Sequence, residues 1–397
     1  MSWDYVTLDK LGSISRGKSK HRPRNDKTLF GGKYPFIQTA DVKASGLYLT
    51  DYNETYNDKG LAQSKLWLAG TLCITIAANI ADTAILGIDA CFPDSVMGFT
   101  PYEDVSNVKF VKYAFDILQR DCKKISQGTA QDNLSWKKLS TIKFPAPDIE
   151  IQDKIVSKLS AYDKLIENNQ KQIKLLEEAA QRLYKEWFVD LHFPGYEDVK
   201  LVDGVPEGWI YTTVDSFIKL QSGYAFKSNS FDNKGKFKIV TIKNVQDGEF
   251  DGNKVNRIVE IPAKMPSHCN LIEGDTLLSL TGNVGRICTV IGSNYLLNQR
   301  VAKIASDYPC YAYCLFSSKK MFHDMNNLAN GAAQQNLSPI RTGQMQILKP
   351  SEEVLIMFEE MTKPLIDKKI LLNKSMITAT EARDRLLPKL MSGEIEV

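Results

Sequence analysis

The sequence predicts an α+β protein in which two similar mixed α/β modules alternate with two long helices, a pseudo-two-fold plan. Three observations predict it. The stretch GTAQDNLS at Gly128 is written again as GAAQQNLS at Gly331, 203 positions later. Other matches keep the same order: WDYVTLDKLGSISRG from Trp3 against WIYTTVDSFIKLQSG from Trp209, and LAGTLCITIAANIA from Leu68 against IEGDTLLSLTGNVG from Ile272. Each copy then ends in a heptad-spaced segment, EEAAQRLYK from Glu177 answering TEARDRLLP from Thr380.

The opening ~145 residues of each copy read as short strands with turn signals and little helix. KYPFIQTADV, GTLCITIAANI and FKIVTIKNV are β-branched or aromatic runs bounded by Gly, Asp and Asn. The expected division is a first module over 1–148, a long helix over 149–188, a Pro- and Gly-punctuated linker over 189–208, a second module over 209–349 and a second long helix over 350–397.

The first helix carries a seam in alternating steps of four and three: Ile155, Leu159, Tyr162, Ile166, Asn169, Ile173, Leu176, Ala180, Leu183 and Trp187. That is a coiled-coil pattern. Carried into the second copy, the register gives Phe358, Thr362, Leu365, Lys369, Leu372, Met376, Ala379, Arg383, Leu386 and Leu390. Lys369 and Arg383 interrupt this seam, and Pro364 predicts a kink or restart. Asn169 either fixes register in the seam or bonds solvent at a frayed crossing. The helices are either hairpins internal to a domain or spacers. At ~1.5 Å per residue a forty-residue helix is a rod of roughly 60 Å, which favours the spacer.

Composition excludes several classes. The 397 residues are 43% hydrophobic and 24% charged, ordinary for a globular chain, with a net charge of +3. No run approaches a membrane span, and MSWDYVTLDK is unlike a secretory signal, so no membrane and a cytoplasmic location are expected. Seven cysteines show neither a disulfide framework nor metal-finger spacing, so no metal is expected. No G-x-x-x-x-G-K-[ST] motif or adenine-methyltransferase tetrapeptide is present. In PDIEIQDK the acid and the lysine, Asp153 and Lys154, are adjacent, unlike a nuclease signature. The expectation is a binding protein with no catalytic residue and no cofactor of its own.

Two similar modules on a spacer suit double-stranded DNA. A two-fold axis perpendicular to the duplex would run the helices antiparallel, and diverged modules imply an asymmetric bipartite target. Candidate contacts are Arg16, Lys18, Lys20, Arg22, Arg24 and Lys27 in SRGKSKHRPRNDK, and Lys227, Lys234 and Lys236 in GYAFKSNSFDNKGKFK. Both clusters also fit a solvated loop. Gln131, Asn133, Gln334 and Asn336 of the repeated loop offer amides suited to adenine. A loop held constant between modules of different preference is, however, better suited to positioning. Arg286 and Arg300 suit guanine or phosphate, or a surface ion pair.

The two modules, each opening on Trp and closing through G-x-[AS]-Q-x-x-[LI] and a Pro into a long helix, resemble the specificity (S) subunit of type I restriction–modification systems. PEGW at Pro206, RLYKEWF at Arg182 and LLPKLMSGEI at Leu386 are especially similar. The resemblance implies two target recognition domains and two helices packed as an antiparallel coiled coil. It also implies DNA methyltransferase subunits using S-adenosylmethionine, and restriction/translocase subunits using ATP and Mg. A rival reading is a tandem-repeat scaffold that binds other proteins without recognising DNA.

Overall fold

A computed structural model of the chain describes residues 3–126, 134–253, 255–329 and 336–397. It divides into two compact units, and the division cuts both long helices. Unit 1 is Met1–Glu167 with Thr378–Val397; unit 2 is Asn168–Ile377. The boundaries expected from sequence put each long helix in a segment of its own. In the structure each unit instead takes part of both helices.

In unit 1 a five-stranded sheet runs in the order Gly12–Arg16, Val96–Pro101, Leu72–Thr75, Thr83–Leu86, Tyr48–Leu49. A second sheet has the order Glu54–Tyr56, Phe30–Phe36, Ala90–Cys91, Leu66–Trp67, with a parallel central pair and antiparallel flanks. Tyr5–Val6 pairs with Phe144–Pro145 beside them. The apolar strands are buried outright, as Leu72–Thr75 is along its whole length. The helix Val108–Ser126 covers the larger sheet through Phe110, Val111, Ala114 and Phe115. KYPFIQTADV is strand only to Phe36, after which Thr39–Ala44 is helix, closed by a reciprocal Gln38–Asp41 cap.

Unit 2 repeats this plan with one strand fewer in the larger sheet, which has no counterpart of Tyr48–Leu49. Its larger sheet is Lys219–Ser222, Val301–Ala305, Thr276–Ser279, Ile287–Thr289. Its second sheet is Asn256–Ile258, Phe237–Val240, Tyr295–Leu297, Asn270–Leu271, again with a parallel pair between antiparallel flanks. Ile210–Thr213 pairs with Gln346–Lys349. Two glycines shared by the copies have one cause. A Cβ on Gly17 would lie 2.3 Å from the Pro93 carbonyl oxygen, and one on Gly223 2.2 Å from that of Asn298.

The turns after the central strands differ instructively. Gly282 and Gly285 have φ of 74° and 81°, while their counterparts Ala78 and Ala81 are both at 61°. A Cβ in this left-handed region costs about 1–2 kcal/mol. Ala78 is exposed, so Ala78→Gly relieves strain without emptying the core. Net of the added chain entropy of glycine, unit 1 is expected to gain about 0.5–1 kcal/mol. The shift in urea midpoint measures it, and a lowered midpoint would refute it.

The long helices are Ile149–Phe188 and Glu352–Met391. In unit 1, Ile155, Val156 and Leu159 join one core with Leu387, Leu390 and Met391, and Arg383 reaches Asp163. Numbers rise on one strand of the pair as they fall on the other, so the pairing is antiparallel. In unit 2, Asn169 meets Ser375, Glu177 meets Lys369, and Tyr184, Trp187 and Phe188 meet Phe358, again antiparallel.

Every residue of the two seams is buried or half-buried, including Tyr162, Ile166, Ile173, Leu176, Leu183, Leu365, Leu372, Met376 and Leu386. Asn169 is buried and donates from Nδ2 to Ser375 Oγ at 3.0 Å, a bond across the helix pair.

Three expectations are corrected. The second helix runs unbroken through Pro364. Buried Phe358 and Thr362 before the proline, and half-buried Leu365 after it, hold the turn in which it removes one backbone bond. Lys369 and Arg383 do not interrupt the pairing, because each has a partner from the facing helix. The presumed linker is packed: Phe193 and Val205 are buried, and Leu201–Val202 pairs with Val205–Pro206.

Candidate nucleic-acid interface

The larger sheet of each unit ends in a rim where several sequence candidates meet. In unit 1, Arg16 closes the edge strand opposite Met97, and the Gly17 N–H donates to the Val96 carbonyl at 2.8 Å. The Ile76 N–H donates to the Ser95 carbonyl at 3.0 Å, and Thr75 and Asp82 close the neighbouring turn. In unit 2 the matching contacts are Gly223 to Val301 at 3.1 Å and Leu280 to Arg300 at 3.0 Å, with Ser279 and Arg286 closing the turn. The turns are built alike. The hydroxyl of Thr75 accepts the Asp82 N–H at 3.0 Å and donates to the Asn79 carbonyl; Ser279 does the same for Arg286, also at 3.0 Å, and Asn283.

The repeated loop ends on this rim. Gln131, Asn133 and Gln334 lie outside the described residues, but the loop's exit is described in both copies. Leu134 and Leu337 are buried; their N–H groups donate to Ile76 at 2.9 Å and Leu280 at 2.7 Å, the first residues after the central strands. Ser135 and Ser338 then cap short helices by accepting from the Lys138 and Arg341 N–H groups. The repeated Leu-Ser is therefore an anchor and a cap. Asn336 is exposed and forms a bridge with Thr281 on the same rim.

Both basic segments occupy one place in the plan, the connection that leaves the edge strand for the second sheet. Arg16, Lys18, Lys20 and Lys27 are exposed. Arg22 and Arg24 are committed elsewhere: Arg24 Nη2 donates to both Asp94 carboxylate oxygens at 2.6 and 2.8 Å, and Arg22 Nη2 stands 3.8 Å from the same carboxylate. Asp26 folds the segment by accepting from Thr28 and pairing with His21 at 2.8 Å. These bonds, led by the Thr28 N–H, hold its carboxyl below the usual carboxylate range. Lys227, Lys234 and Lys236 are exposed, with Lys236 Nζ 5.7 Å from the Phe237 ring.

Arg286 is half-buried and donates from Nη1 to Gln246 Oε1 at 2.8 Å; Arg300 is exposed, and its side chain has no hydrogen-bond or ion-pair partner among the described residues. Reading the sequence missed Asp94 and Asp82. Asp82 is found by setting the two turns in register, where it stands opposite Arg286.

Each unit also carries a polar knot where its module meets the helix pair. In unit 1, Asp163 accepts from Tyr113 and, at 2.8 Å, from Arg383 Nη1. In unit 2, Lys369 Nζ donates to Glu177 and to the Tyr313 oxygen, while the Tyr313 hydroxyl donates to Glu177 at 2.7 Å. Burial, reinforced by the neighbouring carboxylate, pushes both phenols above their usual range. Among the described residues no group of three or more His, Cys, Asp or Glu is placed to hold a metal, and no helix is long and apolar enough to cross a membrane.

Comparison with known proteins agrees with this architecture. The specificity subunit of the type I restriction enzyme MjaIX from Methanocaldococcus jannaschii is 24% identical over 415 residues, spanning 100% of this chain and 94% of its own. The HindI specificity subunit from Haemophilus influenzae is 22% identical over 326 residues, 66% of this chain and 71% of its own. The crystal structure of a type I restriction-modification S subunit from M. genitalium matches with a TM-score of 0.61 at 17% identity, over 98% of this chain and 96% of that one, a likeness of fold. The family model for the type I restriction modification DNA specificity domain matches residues 2–178 and again 206–342, so the chain belongs to that family of DNA specificity subunits.

Proposed function

We propose that this chain reads an asymmetric, bipartite DNA target and brings adenine methyltransferase and restriction–translocase subunits to it. One observation carries the reading: two rims share a backbone frame, down to the anchored loop, yet differ in side chains. A shared frame suits one mode of docking, and different side chains suit different sequences. Membership of the specificity family supports recognition of DNA.

In this reading the chain contributes position rather than bond-making, and S-adenosylmethionine, ATP and Mg belong to the partner subunits. Adenine must leave the duplex to be methylated, so holding the DNA on both sides of the target would aid the partner that flips it. Exposed Arg16, Lys18, Lys20, Lys27, Lys227, Lys234 and Lys236 would supply phosphate contacts, making binding fall steeply with salt. Arg22 and Arg24 contribute less, being held by Asp94.

The test is an exchange of residues 209–349 for those of a relative, with N6-methyladenine mapped in a host carrying the partner subunits. One half of the methylated motif is expected to change while the other stays. A change in both halves would end the independence of the modules. Methylation that does not depend on this chain would end the reading itself.

A further inference from the structure

The two rims carry their charges on different strands of the same frame. In unit 1 the cations Arg16 and Lys18 stand at the edge strand, while the neighbouring positions are Asp82 and Ser95. In unit 2 the edge-strand positions are the uncharged Ser222 and Tyr224, whose chain makes the same contacts through Gly223 and Tyr224. There Arg286 and Arg300 take the places of Asp82 and Ser95.

A phosphate contact positions the protein without reading the sequence. A difference in preference has to come from among the side chains that differ on the shared backbone. Resting on the DNA-reading function proposed above, we infer that Arg300 sets the specificity of the half-site read by residues 209–349, by pairing with a guanine. The planar guanidinium matches the O6 and N7 acceptors of guanine in the major groove with a rigid fork, where a lysine offers a flexible point charge. The surroundings are prepared for it. The Arg300 backbone is pinned to Leu280 at 3.0 Å while its side chain remains exposed and without a partner among the described residues. Arg286, fixed by Gln246 at 2.8 Å, adds a second positive group on the same rim without competing for that base. In unit 1 the Arg300 position is Ser95, so the two half-sites differ at the base pair read from it.

The experiment uses the full chain with its methyltransferase partner, acting on a duplex library randomised across both half-sites. Wild type, Arg300→Gln, Arg300→Lys and Ser95→Arg are compared, with Lys234→Gln as a phosphate-contact control. Arg300→Gln is expected to lose at least about tenfold of the preference for guanine at one position of one half-site, with Arg300→Lys keeping part of that preference and the other half unchanged in both. Ser95→Arg is expected to introduce a guanine preference in the opposite half. Lys234→Gln is expected to lower methylation evenly across all sequences. If Arg300→Gln behaves like that control, or if both half-sites relax together, the inference is overturned while the proposed function stands. If wild type shows no sequence preference at all, the proposed function falls with it.

Discussion

Phe358→Ala is expected to lower the stability of unit 2 by about 3–5 kcal/mol, the usual cost of emptying a large aromatic site. Phe358 is fully buried, with ring centroids 4.9 Å from Phe188, 5.7 Å from Trp187, 6.4 Å from Tyr184 and 6.5 Å from Tyr311. These residues come from three elements: the end of the first long helix, the start of the second, and the helix Pro309–Ser317 of the module. One ring thus ties the module to the helix pair. A small residue cannot be compensated from three directions at once, because the aromatic neighbours already pack on one another, Phe188 edge-to-face with Trp187 and Tyr311, and Tyr184 tilted against Phe188 and Tyr311. Urea unfolding followed by the fluorescence of Trp187 and Trp209, both in this cluster, reads the effect. Phe358→Leu, which keeps most of the volume, is expected to cost much less; equal losses for the two variants would mean that the cavity is not the cause.

Lys369→Ala is expected to cost about 2–3 kcal/mol for a different reason. The Lys369 side chain is 4% exposed and that of Glu177 28%, so removing the lysine leaves a carboxylate that water only partly reaches, beside Tyr313, with no neutralising charge. The penalty comes from the stranded anion more than from the lost attraction. Lys369→Met combined with Glu177→Gln removes both charges, and should therefore recover much of the loss. Unfolding midpoints of Lys369→Met, of Glu177→Gln and of the double variant form the cycle that checks this. A double variant as unstable as the sum of the singles would show that the two groups act independently.

The seam was legible because it is a local period: a heptad can be read from one helix without knowing its partner. The neutralisers of Lys369 and Arg383 were not legible, because Glu177 and Asp163 lie on the other long helix, and Tyr113 and Tyr313 lie on the module helices Val108–Ser126 and Pro309–Ser317. For that reason the lysine and the arginine looked like faults in the seam. The basic segment near Arg16 was visible as composition, but the carboxylate that occupies Arg22 and Arg24 is Asp94, some 70 residues away in sequence. The repeated loop announced a shared constraint. Its cause, a backbone bond from Leu134 or Leu337 to the residue after a central strand, is a contact between distant segments that no spacing rule reports. The α+β class and the two long helices followed from patterns that survive without tertiary context. The twin sheet orders, and the helices over 108–126, 309–317 and 319–329, needed the structure.

The way each unit draws on both long helices has a consequence for the newborn chain. The core of unit 1 needs Leu387, Leu390 and Met391 to cover Ile155 and Leu159, so those side chains wait uncovered while more than two hundred further residues are translated. Unit 2, whose parts all lie within Asn168–Ile377, can close first. The amino-terminal module is thus the last to be sealed, and a nascent chain stalled before Thr378 would present an apolar helix face for chaperones to shield.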